Sequence, residues 1–75
     1  MEADTKLNDL LYKKAIALTE DNNFDEAIEY CNDMIRNDPN DADGWDIKGI
    51  CYFALNIVYY LKFINFNRQI INHVN

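Results

Sequence analysis

The sequence predicts an all-α domain of three or four helices arranged as antiparallel helix-turn-helix units. Apolar residues recur at intervals of three and four in Leu7, Leu10, Leu11, Ala15 and Leu18, and again in Ala27, Ile28, Cys31, Met34 and Ile35, which gathers them on one side of a helix. The clusters Asp21-Asn22-Asn23 and Asp38-Pro39-Asn40-Asp41 punctuate these stretches. After Trp45 only Gly49 would weaken a helix, since the one proline is Pro39.

The first helix is expected over about Thr5 to Glu20, with Lys6, Asp9, Lys13 and Lys14 mostly off its apolar stripe. Asn23 and Glu26, three residues apart, form a capping-box pattern for a second helix, and Asp25 with Glu26 complements the helix dipole there. That helix should end near Asn37, because Pro39 disfavours helical geometry in Asp38. Asp41 is the expected cap of a third helix, with Asp43 in its first turn and Trp45, Gly49, Tyr52 and Phe53 on the face it buries, running to about Leu55.

Length and charge limit the function classes. A chain of 75 residues is one domain, able to hide only about 60% of its unfolded surface. It offers little room for an enclosed active site. Thirteen acidic against seven basic residues give a net charge of -6, which repels phosphate backbones and anionic lipid, so nucleic acid is not an expected partner and basic or neutral proteins are. The start, Met1-Glu-Ala-Asp-Thr-Lys6, lacks an apolar stretch behind a basic segment, which points to the cytoplasm. Cys31 and Cys51 fall inside helical patterns and read as small buried thiols rather than a disulfide.

In sequence order, Leu11, Lys14-Ala15, Leu18, Phe24, Ala27 and Pro39 are followed after a shift of 34 residues by Trp45, Lys48-Gly49 and Tyr52. This resembles the tetratricopeptide (TPR) family, whose repeat runs W-x2-L-G-x2-Y, A-x3-F and P across two antiparallel helices. Departures are Leu11 for Trp, Lys14-Ala15 for Leu-Gly, Cys31 for the aromatic and Lys48 for Leu. The resemblance implies a TPR-like α-solenoid fragment in one domain of residues 1–75: a first repeat over 8–41, the first helix of a second over 42–55, and a divergent tail over 56–75. It further implies that Ala15 meets Ala27 inside the first pair, that Gly49 lets a neighbouring helix touch its backbone, and that a buried Trp45 joins the repeats.

The tail leaves that pattern. Residues 1–55 hold 13 acids against five bases, net -8, whereas 56–75 hold only Lys62 and Arg68, net +2, and draw 14 of 20 residues from Asn, Ile, Tyr, Phe and Lys. It reads either as a frame-shifted or truncated end of a longer array or as a divergent capping helix. Ile57, Leu61, Ile64, Arg68 and Ile71 keep helical spacing on one side while Tyr60, Phe63 and Phe66 spread over others, so the tail is apolar nearly all round. A turn near Asn56 returning the chain as a fourth helix is the preferred continuation, with one straight rod as the alternative. Such surface suits a homodimer or docking on a second protein. Ile50 to Ile64 is apolar but for Asn56 and Lys62, yet a membrane span needs about 20 such residues, so soluble packing is expected.

Catalytic and metal constellations are not found. His73, the sole histidine, reads as a solvated side chain, and neither Cys31 nor Cys51 has a base that the sequence places beside it. Aligning a calcium loop on Gly44 would put Pro39 first and Ile50 last, neither a side-chain ligand. Asp25, Glu26, Glu29 and Asp33 form a solvated helix face. No enzyme activity, cofactor or metal is expected. What the resemblance implies instead is a concave groove lined by the first helix of each repeat, here Asp9, Tyr12, Ile16, Thr19 and Glu20, then Asp43, Asp46, Ile50 and Phe53. Relatives that clamp a terminal carboxylate use Lys, Arg and Asn in such positions, whereas this chain has Tyr12, Ile16 and Ile50. The expected partner is a protein or peptide segment with Lys or Arg plus apolar anchors, and the alternative is a remnant with no activity of its own.

Overall fold

In the computed structural model the chain forms three helices, α1 (Thr5–Glu20), α2 (Phe24–Asn37) and α3 (Ala42–Val74), with no strand among the described residues. The structure describes the backbone of residues 4–74 and the side chains of residues 4–69. Readings that rest on Met1 to Ala3, or on the side chains of Ile71 and His73, lie outside them.

Asp4 caps α1, its Oδ1 accepting from the Leu7 amide at 3.1 Å. The helix ends at Asp21, and Asn22 then takes the left-handed conformation at φ 64°. The Asn23 amide reaches Leu18 O at 2.8 Å and the Asn22 amide Thr19 O at 3.1 Å, the paired closure of a Schellman motif, in which Asn substitutes for glycine. Asn23 is the N-cap of α2, but its side chain makes no capping bond, so the capping box expected from Asn23 and Glu26 does not form. Asp38 leaves the second helix extended at φ -148°, ψ 98°, as the following proline requires. Asp41 then caps α3 through Oδ1, which accepts from the Asp43 amide at 3.0 Å.

The expected turn at Asn56 is absent: α3 passes straight through to Val74, 33 residues in all. One asparagine costs a helix only a few tenths of a kcal/mol, and no proline or left-handed residue accompanies it. The rod is therefore about 50 Å long, and the molecule measures 64 × 19 × 13 Å. Its radius of gyration of 17.0 Å far exceeds the roughly 11 Å of a compact chain this long. The core is confined to the first half, where α1 and α3 both pack along α2.

Candidate protein-binding surfaces

The orientation of the three helices is set at one end by a polar clasp. Asn8, only 5% exposed, donates from Nδ2 to Asp41 Oδ2 at 2.7 Å and to Met34 O at 3.3 Å, and its Oδ1 accepts from Asn37 Nδ2 at 2.8 Å. Asn37 Nδ2 also donates to Asp4 O at 2.8 Å. The start of α1 thus meets the end of α2 and the cap of α3, which makes α1 and α2 antiparallel and α1 and α3 parallel. Sequence reasoning missed Asn8. The available signal was a polar residue one turn before Leu11 on an otherwise apolar stripe.

Beyond the clasp the core is Ala15, Ala27, Ile28, Cys31, Ile47 and Cys51, flanked by Ile16, Leu18, Phe24, Tyr30 and Leu55. Ala15 and Ala27 are completely buried and belong to this one cluster. Cys31 and Cys51 are free, fully buried thiols, and Thr19 Oγ1 lies 3.5 Å from Cys51 Sγ across the seam between α1 and α3. Burial first, then the neighbouring Cys51, pushes the Cys31 thiol from 9.0 up to about 11, against a lowering pull from Lys48. A thiol with a raised folded value stays neutral in the fold while the unfolded chain ionises, so this contribution is whole below pH 9 and is lost as pH rises toward 11. Wild type should therefore lose on the order of 2 kcal/mol more than Cys31→Ala across that window, read as urea midpoints of the two chains at each pH. Equal losses would contradict the burial of this thiol.

The helices on either side of α2 use different faces to reach it. On α1 the covered side carries Asn8, Leu11, Ala15 and Leu18, while Leu10 is 59% exposed. On α3 it carries Gly44, Ile47 and Cys51, all buried. The residues of α3 that lie 34 positions after Leu11, Ala15 and Leu18 are Trp45, Gly49 and Tyr52, and these are open: Trp45 is 52% and Tyr52 53% exposed. The expectation that α3 buries the face of Trp45, Gly49, Tyr52 and Phe53 is corrected here, since all four are exposed. Trp45 is not a buried anchor, and its indole donates to Pro39 O at 2.9 Å while the Lys48 ammonium lies 5.7 Å from the ring. Gly49 touches no neighbouring backbone, since a Cβ built on it would meet nothing within 4 Å.

The close approach falls to Gly44 instead, where an added Cβ would lie 3.2 Å from both Ile35 Cγ1 and Met34 Cβ. The reason is the missing turn at Asn56: the helix that would cover Trp45, Gly49 and Tyr52 is not supplied from within the chain. Gly49→Ala should accordingly stabilise the monomer by about 0.5–1 kcal/mol through helix propensity alone. A destabilised Gly49→Ala monomer in dilute thermal melts would show that something does press on that position.

Of the groove residues, Asp9, Tyr12 and Glu20 on α1 and Asp43, Asp46, Ile50 and Phe53 on α3 are exposed, with Ile16 and Thr19 half-buried. Ile50 and Phe53 are 56% and 68% exposed. The stripes run on two parallel helices that meet at the Thr19–Cys51 seam. Phe24 and Pro39 sit at the two turns, Phe24 half-buried and Pro39 exposed. Hollows of opposite character adjoin α2. An apolar notch of about 500 Å³ lies between Asn22, Phe24, Ala54, Leu55, Ile57 and Val58, where α3 leaves the bundle. An acidic hollow of about 410 Å³ is lined by Glu26, Glu29, Tyr30 and Asp33, and Arg36 pairs with Asp33 at its edge.

Beyond Val58 the aromatic side chains described on α3 are open: Tyr59, Tyr60, Phe63 and Phe66 are all more than 60% exposed. Over Ala42–Gln69 the helix is long and apolar enough to cross a membrane. Among the described residues no group of three or more His, Cys, Asp or Glu side chains is placed to hold a metal ion. No protein-family model, curated protein or solved structure matches the chain.

Proposed function

We propose that the chain is a non-catalytic protein-interaction module of TPR type, one and a half repeats long, which takes a peptide or protein segment against α1 and α3. One observation carries the reading: α1 and α3, whose residue patterns align at a shift of 34, flank α2 through two different faces, as first helices of successive repeats would, each serving its own second helix on one side and the preceding one on the other. Such units cannot close a core singly and offer their inner helices to other proteins. The partner segment carries Lys or Arg against Asp9, Glu20, Asp43 and Asp46, and apolar anchors against Tyr12, Ile50 and Phe53, so charge steers and burial holds. The module works in the cytoplasm, free of membranes. Placing α3 in a bilayer would strip Lys62 of water and free Ile47 and Cys51 from α2, at a cost of several kcal/mol.

Selection from a random peptide library tests this. Enriched sequences should combine basic and apolar residues, bind more weakly as salt rises to physiological strength, and lose about tenfold in affinity to Phe53→Ser. Salt-indifferent binding, or equal binding by Phe53→Ser, would remove the groove. A second reading, a remnant of a longer array, is favoured by the acid-free, unpartnered tail. A Tyr-x2-Ala-Ile pattern in the alternate reading frame after Leu55 would support it.

A further inference from the structure

We propose that two copies of this chain pair antiparallel along α3, each covering the face that the other leaves open. On α3 the residues Trp45, Gly49, Tyr52, Asn56, Tyr59 and Phe63 follow one another at alternating intervals of four and three, and Phe66 extends the series. A repeat of 3.5 kept over three heptads is the seam of a coiled coil. Every member is exposed in the single chain, Tyr59 and Phe63 by 64% and 61%, and the seam lies on a different side of α3 from Gly44, Ile47 and Cys51, which face α2. The open repeat face and the unsupported tail are therefore parts of one stripe.

The area agrees with a dimer. Trp45, Tyr52, Tyr59, Phe63 and Phe66 on the seam, with Phe53 and Tyr60 on its flank, are each 52–68% exposed and present on the order of 800 Å², above the 300–600 Å² of the largest patch on an ordinary monomer and close to the roughly 800 Å² per partner of a standard interface.

Shape and charge select the orientation. An antiparallel pair centred between Ile57 and Val58 sets Gly49 against Phe66, Tyr52 against Phe63, and Asn56 against Tyr59. The smallest residue of the seam then faces a large one, and the Asn56 amide meets a phenol hydroxyl, a polar layer of the kind that fixes register. Along the flanks Phe53 faces Tyr60, Asp46 faces Asn67 and Leu55 faces Lys62, so no like charges oppose. The net +2 tail of each copy also runs beside the net -8 body of the other. A parallel pair would stack Gly49 on Gly49 and bring both acidic bodies together at one end, which costs both packing and charge.

Sedimentation of the full chain from one to several hundred micromolar should show one reversible step from 8.8 kDa to twice that mass. Phe63→Glu should weaken the dimer by about a hundredfold or more with helicity unchanged. Leu61→Glu alters a side chain 54% exposed but off the seam, and should shift association by about threefold at most. Cys31 and Cys51 are fully buried, so a nitroxide can be placed on Arg68→Cys alone. The two labels should then lie about 30 Å apart, against under about 20 Å for a parallel pair. A monomer throughout, equal loss from both Glu variants, or the short label distance would overturn the proposal. So would flotation of the chain as a monomer with phosphatidylcholine vesicles, which would assign the stripe to lipid. The flanks of the seam take Asp46 and Phe53 from the groove, but Phe63→Glu leaves every groove residue in place, so peptide binding by that chain tests the groove apart from the pair.

Discussion

Met34→Ala is expected to lower the unfolding free energy by about 3 kcal/mol, the middle of the range for truncating a buried methionine. Met34 is 1% exposed and among the largest side chains that the fold hides completely. It also has nowhere to be replaced from. Its Cβ lies 3.2 Å from where a Cβ on Gly44 of α3 would stand, and its carbonyl accepts both from the Asp38 amide at 2.9 Å and from Asn8 at 3.3 Å. The backbone on either side is thus pinned, which limits the collapse that would otherwise reduce the cavity. The cost falls on a domain whose core occupies only half its length, so its total stability lies toward the low end of the usual 5–15 kcal/mol. Met34→Leu keeps most of the volume and should cost less than about 1.5 kcal/mol. Urea titrations followed by helicity, at concentrations too low for association, give both numbers. A loss below about 1 kcal/mol for Met34→Ala would mean that α2 and α3 close up over the gap and that the Gly44 contact is not rigid.

How far the sequence could be read depended on whether each feature is decided locally. The helix of Thr5 to Glu20, the stop before Pro39 and the Asp41 cap were legible, because spacing, a proline and a carboxylate act within a few residues of themselves. That Ala15 and Ala27 fall in one buried cluster was legible too, since a three-residue turn leaves two amphipathic helices little choice of partner. The tail was different. Whether a helix turns at Asn56 is decided by what the returning segment would bury, and Asn56 itself is nearly neutral. The burial of Trp45 and Gly49 was implied by the repeat resemblance and needs a returning helix that the absent turn does not supply, so both errors have one origin. Gly44 and Gly49 are one and a half turns apart, and only the face that meets α2 decides which of them matters. The stripe from Trp45 to Phe66 was written in the sequence throughout, but its spacing acquires meaning only once the rod is known to be continuous.

Asn8→Leu is expected to cost about 2–3 kcal/mol although leucine keeps the branched heavy-atom skeleton of asparagine and is the better residue for a helix. The penalty comes from what the substitution leaves behind. Asp41 Oδ2 loses a 2.7 Å bond from the Asn8 amide, and Asn37 loses the carbonyl that it donates to at 2.8 Å. A carboxylate beside an isobutyl group must then either turn to water or stay underpaired, and turning weakens its grip on the α3 amide at Asp43. Asn37 is partly protected by its second acceptor, Asp4 O, so the loss should concentrate at Asp41. A double-mutant cycle between Asn8→Ala and Asp41→Ala separates that share, with an expected coupling of about 1–2 kcal/mol for a bond to a charged acceptor. Additive losses would show that the two side chains act independently. The cycle bears on function as well as folding, because Asn8 and Asp41 are the atoms through which the start of α1 holds the start of α3, and the alignment of the Asp9–Glu20 and Asp43–Phe53 stripes depends on that hold. An Asn8→Ala chain kept folded by cold or osmolyte should bind its peptides more weakly than wild type while Phe53 and Ile50 remain in place.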